Sequence, residues 1–225
     1  MWGVMAFIRN LTILIGLLAA IVAVPRPAAA QELTTKSPTA ADADFAKRMF
    51  AGAVPRPKAY ACFVRAYDAG HLAAHPLQKV GVMKLLVSAE KTDPKEDKVL
   101  EYSFRLGVNF RDRPGNFDSS GECGHAPTVR NPDTDPPAAA GIDFECNVDC
   151  DGGGVTVNLA NSDASIIVKL PERIRIWKGK DPDEAAMSAL MAGADDKVFR
   201  LDRAEPSQCT ALAYDRKELA AMRHK

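Results

Sequence analysis

Three residues whose side chains could bind a metal ion lie close together in the sequence: Asp68, His71 and His75. If this segment forms helical turns, spacings of three and seven residues place all three side chains on one face. Two imidazoles and a carboxylate form a donor set for zinc or another divalent ion. Gly70 and Pro76 disfavour a stable helix, so the alternative is that both histidines are ordinary surface residues. The pattern predicts a candidate metal site.

Two further segments contain residue types that occur at catalytic or cation sites. Asp149 and Asp151 precede glycines, as carboxylates do in calcium loops, but the later glutamate that completes such a loop is lacking. Ser119, Cys123 and His125 invite a nucleophile–base interpretation, but the sequence has no G-x-S-x-G elbow to fix their geometry. We therefore interpret the first segment as a hairpin turn and Cys123 as half of a disulfide, and we assign no catalytic residue.

The sequence has five cysteines, and in an oxidising compartment cysteines usually pair. They are Cys62, Cys123, Cys146, Cys150 and Cys209. We predict a bridge between Cys62 and Cys209 and a second from Cys123 to Cys146 or Cys150. Our first choice for the second bridge is Cys146, which leaves Cys150 free or paired between chains. The first bridge closes a very long loop, which stabilises a fold by roughly 2–5 kcal/mol.

A basic and aromatic face is predicted on the short strand at 173–177. Arg173, Arg175 and Trp177 alternate along it and so share one side. That side could bind an anion or a carbohydrate, with the indole as a stacking surface. A solvated sheet face is the simpler alternative, and we also interpret Asp195 and Asp196 as solvated.

The clearest element in the sequence is a strand at 98–111. Six apolar residues, from Leu100 to Phe110, alternate with polar or small ones, which predicts one buried and one solvated face. Further strands are predicted at 60–67, 78–88, 142–148, 155–160, 165–170, 173–177 and 198–202. Helices are predicted at 42–53, 181–193 and 212–223.

The fold class follows from these elements. About eight strands with two or three peripheral helices predict a mainly β protein, an antiparallel barrel or sandwich braced by disulfides. The helix at 181–193 is supported by Asp181 as N-cap, Pro182 at the first helical position and Glu184 in a capping box. The segment 111–140, rich in Gly, Pro, Asn and Asp, predicts a long loop, and long loops often bear function.

The first thirty residues have the features of a secretory signal peptide. Arg9 supplies positive charge, residues 11–24 are almost entirely apolar, and three alanines at 28–30 suit a cleavage site. We predict a signal peptide at 1–30, a disordered leader at 31–41 and a single β-rich domain at 42–225. A periplasmic or secreted protein with no membrane anchor after cleavage is expected.

Charge and motifs restrict the function. Lys and Arg together number 29, as do Asp and Glu, so the sequence offers no net positive charge for nucleic-acid binding. We predict a non-catalytic binding or interaction module without a cofactor, whose partner is a protein, a glycan or a small molecule. The alternatives are a metal-assisted hydrolase that uses Asp68, His71 and His75, and an envelope structural protein. An internal cavity would indicate a small ligand, whereas a closed core with a protruding loop would indicate a protein partner. An interior filled by side chains would exclude the carrier version.

Overall fold

The elements come from a computed structural model that describes residues 40–52, 58–91, 100–127, 142–179 and 187–223. In chain order they are α1 (Ala40–Met49), β1 (Lys58–Ala66), α2 (Ala69–Ala74), β2 (Val80–Lys91), β3 (Leu100–Phe110), β4 (Phe117–Pro127), β5 (Ile142–Asn147), β6 (Gly154–Ala160), β7 (Ser165–Lys169), β8 (Arg173–Lys178), β9 (Ser188–Met191), β10 (Val198–Ala204), a 3₁₀ segment (Pro206–Leu212) and α3 (Arg216–Arg223). The predicted signal peptide at 1–30 and residues 31–39 of the predicted leader lie outside the described residues.

Eight of the strands close into an antiparallel barrel. Their order is β3-β2-β1-β10-β7-β6-β5-β4, and pairing of β4 with β3 completes the ring. The remaining two strands form a hairpin, in which β8 pairs with β4 and β9 pairs with β8. The predicted mainly β fold is confirmed in its barrel form.

The barrel interior is filled by side chains. Alternate residues of β3, which are Phe104, Leu106 and Val108, face inward and are at most 1% exposed. Phe63, Phe144 and Phe199 are equally buried, and they belong to the same cluster. An eight-stranded barrel is just wide enough for its own side chains.

A second apolar cluster covers part of the outer wall. Tyr60 and Cys62 of β1 and Leu86 of β2 point outward, against Leu212 of the 3₁₀ segment and Met222 of α3. Because β2 is covered on both faces, its sequence is a continuous apolar stretch over 85–87 instead of a strict alternation.

Two disulfides brace the barrel. Cys62–Cys209 ties the 3₁₀ segment to the outer face of β1, and Cys123–Cys146 joins directly opposed residues of β4 and β5. These are the pairs that we preferred from sequence, and Cys150 is free and exposed. The bridges indicate an oxidising, extracytoplasmic environment.

The helix predicted at 181–193 is wrong where the structure describes it, because Ser188–Met191 is strand β9. Leu190 lies opposite Ile174 of β8 and is 3% exposed, so pairing and burial override a helix preference that is intrinsically weak. The cap residues Asp181, Pro182 and Glu184 lie outside the described residues.

The loop predicted at 111–140 is also wrong in part, because Phe117–Pro127 forms β4. Small residues permit this strand to lie close to its neighbours. A Cβ at Gly121 would lie 2.0 Å from the carbonyl oxygen of Asn147 and 3.1 Å from the ring of Phe104. Glycine and serine therefore serve a close strand contact here, which a turn-oriented interpretation of the sequence misses. Residues 128–140 lie outside the described residues.

Candidate functional site

Helix α1 lies across one mouth of the barrel. Met49 is fully buried, and the ring of Phe45 lies 4.6 Å, centroid to centroid, from both His125 of β4 and Phe144 of β5. Arg203 of β10 donates hydrogen bonds to the carbonyl oxygens of Met49 and Arg48, at 2.7 and 3.1 Å. These contacts hold the middle and the C-terminal end of the helix, and they bring its C-terminal residues beside β10.

A concave surface of about 870 Å³ lies next to the C-terminal end of α1, and we call it the outer groove. Its lining residues come from the turn after α1, from β1, from the residue before β7, from β10 and from the start of the 3₁₀ segment. They are Phe50, Ala51, Gly52, Tyr60, Ala61, Cys62, Ala164, Arg203, Ala204, Glu205, Pro206 and Gln208.

The polar groups of the outer groove differ in how far they are already engaged. Arg203 bonds the two α1 carbonyls and the carbonyl oxygen of Asp163, with its guanidinium 4.7 Å over the ring of Phe63, so it acts as a structural link. Burial, followed by the nearby charge of Glu218, raises the pKa of Tyr60 to about 12. The Tyr60 hydroxyl thus remains protonated across the physiological range.

The predicted metal ligands lie at the opposite end of the barrel, around α2. Asp68 caps the helix, since its Oδ1 accepts a 2.8 Å hydrogen bond from the backbone N–H of His71. The ring of His71 stacks on His75 at 4.4 Å, and its Nε2 lies 2.9 Å from Oε1 of Gln78. No group of three or more His, Cys, Asp or Glu among the described residues is arranged to hold a metal ion. The metal site stays a prediction, which metal analysis of the purified protein tests.

The expectation that Asp195 and Asp196 are solvated is wrong for Asp196, which is 1% exposed. Its carboxylate accepts hydrogen bonds from the backbone N–H groups of Lys79 and Val80, at 2.7 and 3.2 Å. Asp195 accepts a third from Leu77 at 3.0 Å. The two carboxylates therefore bind the segment that leads into β2, and the N–H of Val80 would otherwise be buried without an acceptor.

The basic face predicted on β8 does not present its aromatic residue. Trp177 is only 5% exposed, so its ring offers no stacking surface to solvent. Arg173 and Arg175 donate to the carbonyl oxygens of Asp151 and Cys150, at 3.1 and 2.8 Å. Both arginines thus hold the turn between β5 and β6, in agreement with the hairpin interpretation of that segment.

Ser119 and His125 both face the barrel interior from β4. Six residues of strand place them about 20 Å apart, which is too far for a nucleophile–base contact. Ser119 is 1% exposed, and His125 packs among aromatic rings under α1. Ser119 and His125 therefore do not form a nucleophile–base pair in this structure.

The outer groove was missed from sequence because its walls are far apart along the chain. One signal could have located it. The predicted Cys62–Cys209 bridge requires the segments around 62 and 209 to be neighbours, and both segments line the groove. Arg203 carries no such signal.

None of the described helices is long and apolar enough to cross a membrane. Comparisons with protein-family models, with curated proteins and with solved structures find no match for this chain. We therefore infer the function from the geometry of the site.

Proposed function

We propose that the protein is a non-catalytic binding module that takes a small, partly apolar ligand in the outer groove. One observation carries the proposal. The barrel interior is filled by side chains, whereas the groove outside it offers about 870 Å³. That volume falls within the roughly 300–1,000 Å³ of small-molecule sites. The carrier version, with a ligand enclosed in the barrel, is set aside.

The lining of the groove favours a particular ligand chemistry. Its apolar surface comes from alanines, Phe50, Pro206 and the ring of Tyr60, while Glu205 and Gln208 add a carboxylate and an amide. Because Arg203 is engaged by backbone carbonyls, an anion is the less suitable ligand. An apolar body with hydroxyl or amine donors suits this surface best.

The proposal includes export to the periplasm. It is supported by the two disulfides and by the signal-peptide pattern at 1–30. Mass measurement of the protein from a periplasmic fraction tests it. We expect a chain that begins at Gln31, and a full-length reduced chain in the cytoplasm would contradict it.

A groove-filling substitution tests the binding function. Ala204 lines the groove, so Ala204→Trp should occupy it, whereas Ala73→Trp adds the same ring on the exposed side of α2. Native mass spectrometry of protein purified from its own compartment should show retained ligand mass in the wild type and in Ala73→Trp. The mass should be absent from Ala204→Trp. Equal retention in both variants would exclude the groove as the site.

A second candidate, an envelope structural protein, is favoured by the exposed free thiol of Cys150. An intermolecular disulfide would then join two chains or join this chain to another envelope protein. Non-reducing electrophoresis of unpurified material tests it, with Cys150→Ser as the control. A purely monomeric wild-type band removes this candidate.

A further inference from the structure

Two charged side chains are among the described residues that line the outer groove, and both come from one short stretch of chain. Arg203 lies in β10, and Glu205 lies between the end of that strand and the 3₁₀ segment. Sites for small molecules use a few fixed polar groups of this kind to select their ligand. The charge that the groove presents therefore depends on which of the two side chains is available.

The positive charge of Arg203 is used inside the protein. Its Nε atom donates to the carbonyl oxygen of Asp163 at 2.7 Å, and its Nη1 and Nη2 atoms donate to those of Met49 and Arg48. All three nitrogens of the guanidinium thus face carbonyl dipoles, and its carbon lies 4.7 Å from the centre of the Phe63 ring. An anionic ligand would have to compete with these bonds.

The carboxylate of Glu205 has no comparable role in the fold. Glu205 precedes the 3₁₀ segment, but its side chain accepts no capping hydrogen bond. The residue is exposed, and within the part of the chain that the structure describes its carboxylate has neither a hydrogen bond nor an ion pair. One formal negative charge at the groove is therefore left for a ligand.

The backbone holds Glu205 in place. Its carbonyl oxygen accepts a 2.9 Å hydrogen bond from the N–H of Gln208. Pro206 restricts the residue before it to extended backbone, in agreement with the ψ of 143° at Glu205. The disulfide from Cys209 to Cys62 then ties this segment to the wall of the groove. Ordering the carboxylate against a ligand therefore costs side-chain entropy only.

Two further cations contact the segments around the groove, and each has an acceptor of its own. Nζ of Lys84 donates to the carbonyl oxygen of Gln208 at 2.9 Å. Nη2 of Arg48 lies 2.8 Å from Oδ1 of Asp163. Neither cation is among the described lining residues, so neither is placed to hold an anion in the groove.

We propose that Glu205 determines the ligand class of the outer groove, and that this class is an amphipathic amine. The ammonium group of the ligand donates a charge-assisted hydrogen bond to the Glu205 carboxylate. The apolar body of the ligand packs against Phe50, Tyr60 and Pro206. This inference rests on the proposed binding function and adds the charge that the groove selects.

Three probes of equal chain length test the selection at about pH 7 and low salt: hexylammonium, hexanol and hexanoate. NMR titration of the isotopically labelled protein measures the dissociation constant of each probe at the amides of 50–52, 60–62 and 203–208. We expect hexylammonium to bind about two- to fivefold more tightly than hexanol, which is the range for an exposed ion pair, and hexanoate to bind most weakly. The preference for hexylammonium should disappear as salt is raised to about 0.5 M.

Variants assign the preference to one carboxylate. Glu205→Gln keeps the size of the side chain and removes its charge, so it should bind hexylammonium and hexanol equally. Glu172→Gln removes an exposed carboxylate outside the described lining of the groove and should keep the wild-type preference. Glu205→Lys should reverse the order, so that hexanoate binds more tightly than hexylammonium.

Equal binding of hexylammonium and hexanol to the wild type overturns the amine selection, as does a preference that persists in Glu205→Gln. Either result leaves the groove standing as a binding site. If none of the three probes shifts the groove amides, the proposed function and this inference fail together. Should Glu205→Gln not fold, the salt series on the wild type decides, because a preference that salt leaves unchanged rejects the ion pair.

Discussion

At the residue scale, one ion pair on the outer wall holds the C-terminal helix to the barrel. Arg105 of β3 donates through both terminal nitrogens to the carboxylate of Glu218, and the backbone N–H of Tyr214 donates to it at 2.7 Å. Burial raises the pKa of Glu218, but these hydrogen bonds and the charges of Arg105 and Lys58 outweigh it, so the pKa lies below its usual value. Glu218 is 7% exposed, which makes the pair sensitive to loss of either partner.

Glu218→Ala should therefore lower the free energy of unfolding by about 3 kcal/mol, because it leaves the guanidinium of Arg105 without its carboxylate. Urea unfolding followed by circular dichroism measures this. The matched control is Arg200→Ala, which removes the exposed pair with Asp202 and should cost less than about 1 kcal/mol. Equal losses in the two variants would contradict the account of the pair.

The carboxylate of Glu218 also makes the stability of the fold depend on pH, in a direction that its lowered pKa determines. Since the folded-state pKa is lowered, its stabilisation is present above the unfolded-state pKa of about 4.5 and is lost as pH falls through the folded-state value. Glu218→Gln should flatten the loss of stability below pH 4.5 in a series of urea unfolding curves. If the stability of Glu218→Gln falls below pH 4.5 as steeply as that of the wild type, other groups cause the acid loss of stability.

At the element scale, the strands were largely predictable because their signal is local. The alternation from Leu100 to Phe110 reflects one inward and one outward face, and the structure places strand β3 there. Strand β4 was not predicted because its interior positions include Ser119 and Gly121. These small residues leave room for the neighbouring strands and give no apolar alternation. Strand β9 was predicted as helix because its pairing with β8 is a tertiary contact.

The candidate site was less predictable than the fold. Asp68 and His71 are close in space because they are close in sequence, and the structure uses them to cap α2. The outer groove, in contrast, joins segments separated by more than a hundred residues. Its formation depends on barrel closure, which local periodicity does not encode.

A prediction about stability concerns the segment that leads into β2. Asp196→Ala should destabilise the protein by about 2–3 kcal/mol, because the buried N–H of Val80 and the partly buried N–H of Lys79 lose their acceptor. Thermal unfolding measures the change. Asp195→Ala, whose carboxylate binds one exposed N–H, should cost clearly less, and the reverse order would contradict the assignment.

At the scale of the whole molecule, the Cys62–Cys209 bridge ties the 3₁₀ segment to the first barrel strand across a sequence separation of 147 residues. Closing so long a loop restricts the unfolded chain strongly. It also keeps both sides of the outer groove together, since Cys62 and Gln208 line it. Stability and the proposed binding surface therefore depend on the same bridge.

Replacing both cysteines of this bridge with alanine should lower the free energy of unfolding by about 3–5 kcal/mol. Guanidinium unfolding under non-reducing conditions measures it. Cys150→Ser, which touches no bridge, should leave stability unchanged within about 0.5 kcal/mol. A double variant as stable as Cys150→Ser would show that the bridge adds nothing to the fold.

We propose that the filled barrel binds a ligand on its outer wall. Mapping a library of small amphipathic fragments by NMR chemical-shift perturbation on the isotopically labelled mature protein tests this most directly. We expect the perturbed amides to cluster at 50–52, 60–62 and 203–208, the segments that line the outer groove. Perturbations centred on interior positions such as Phe104 and Phe144, with none at the groove, would contradict the account.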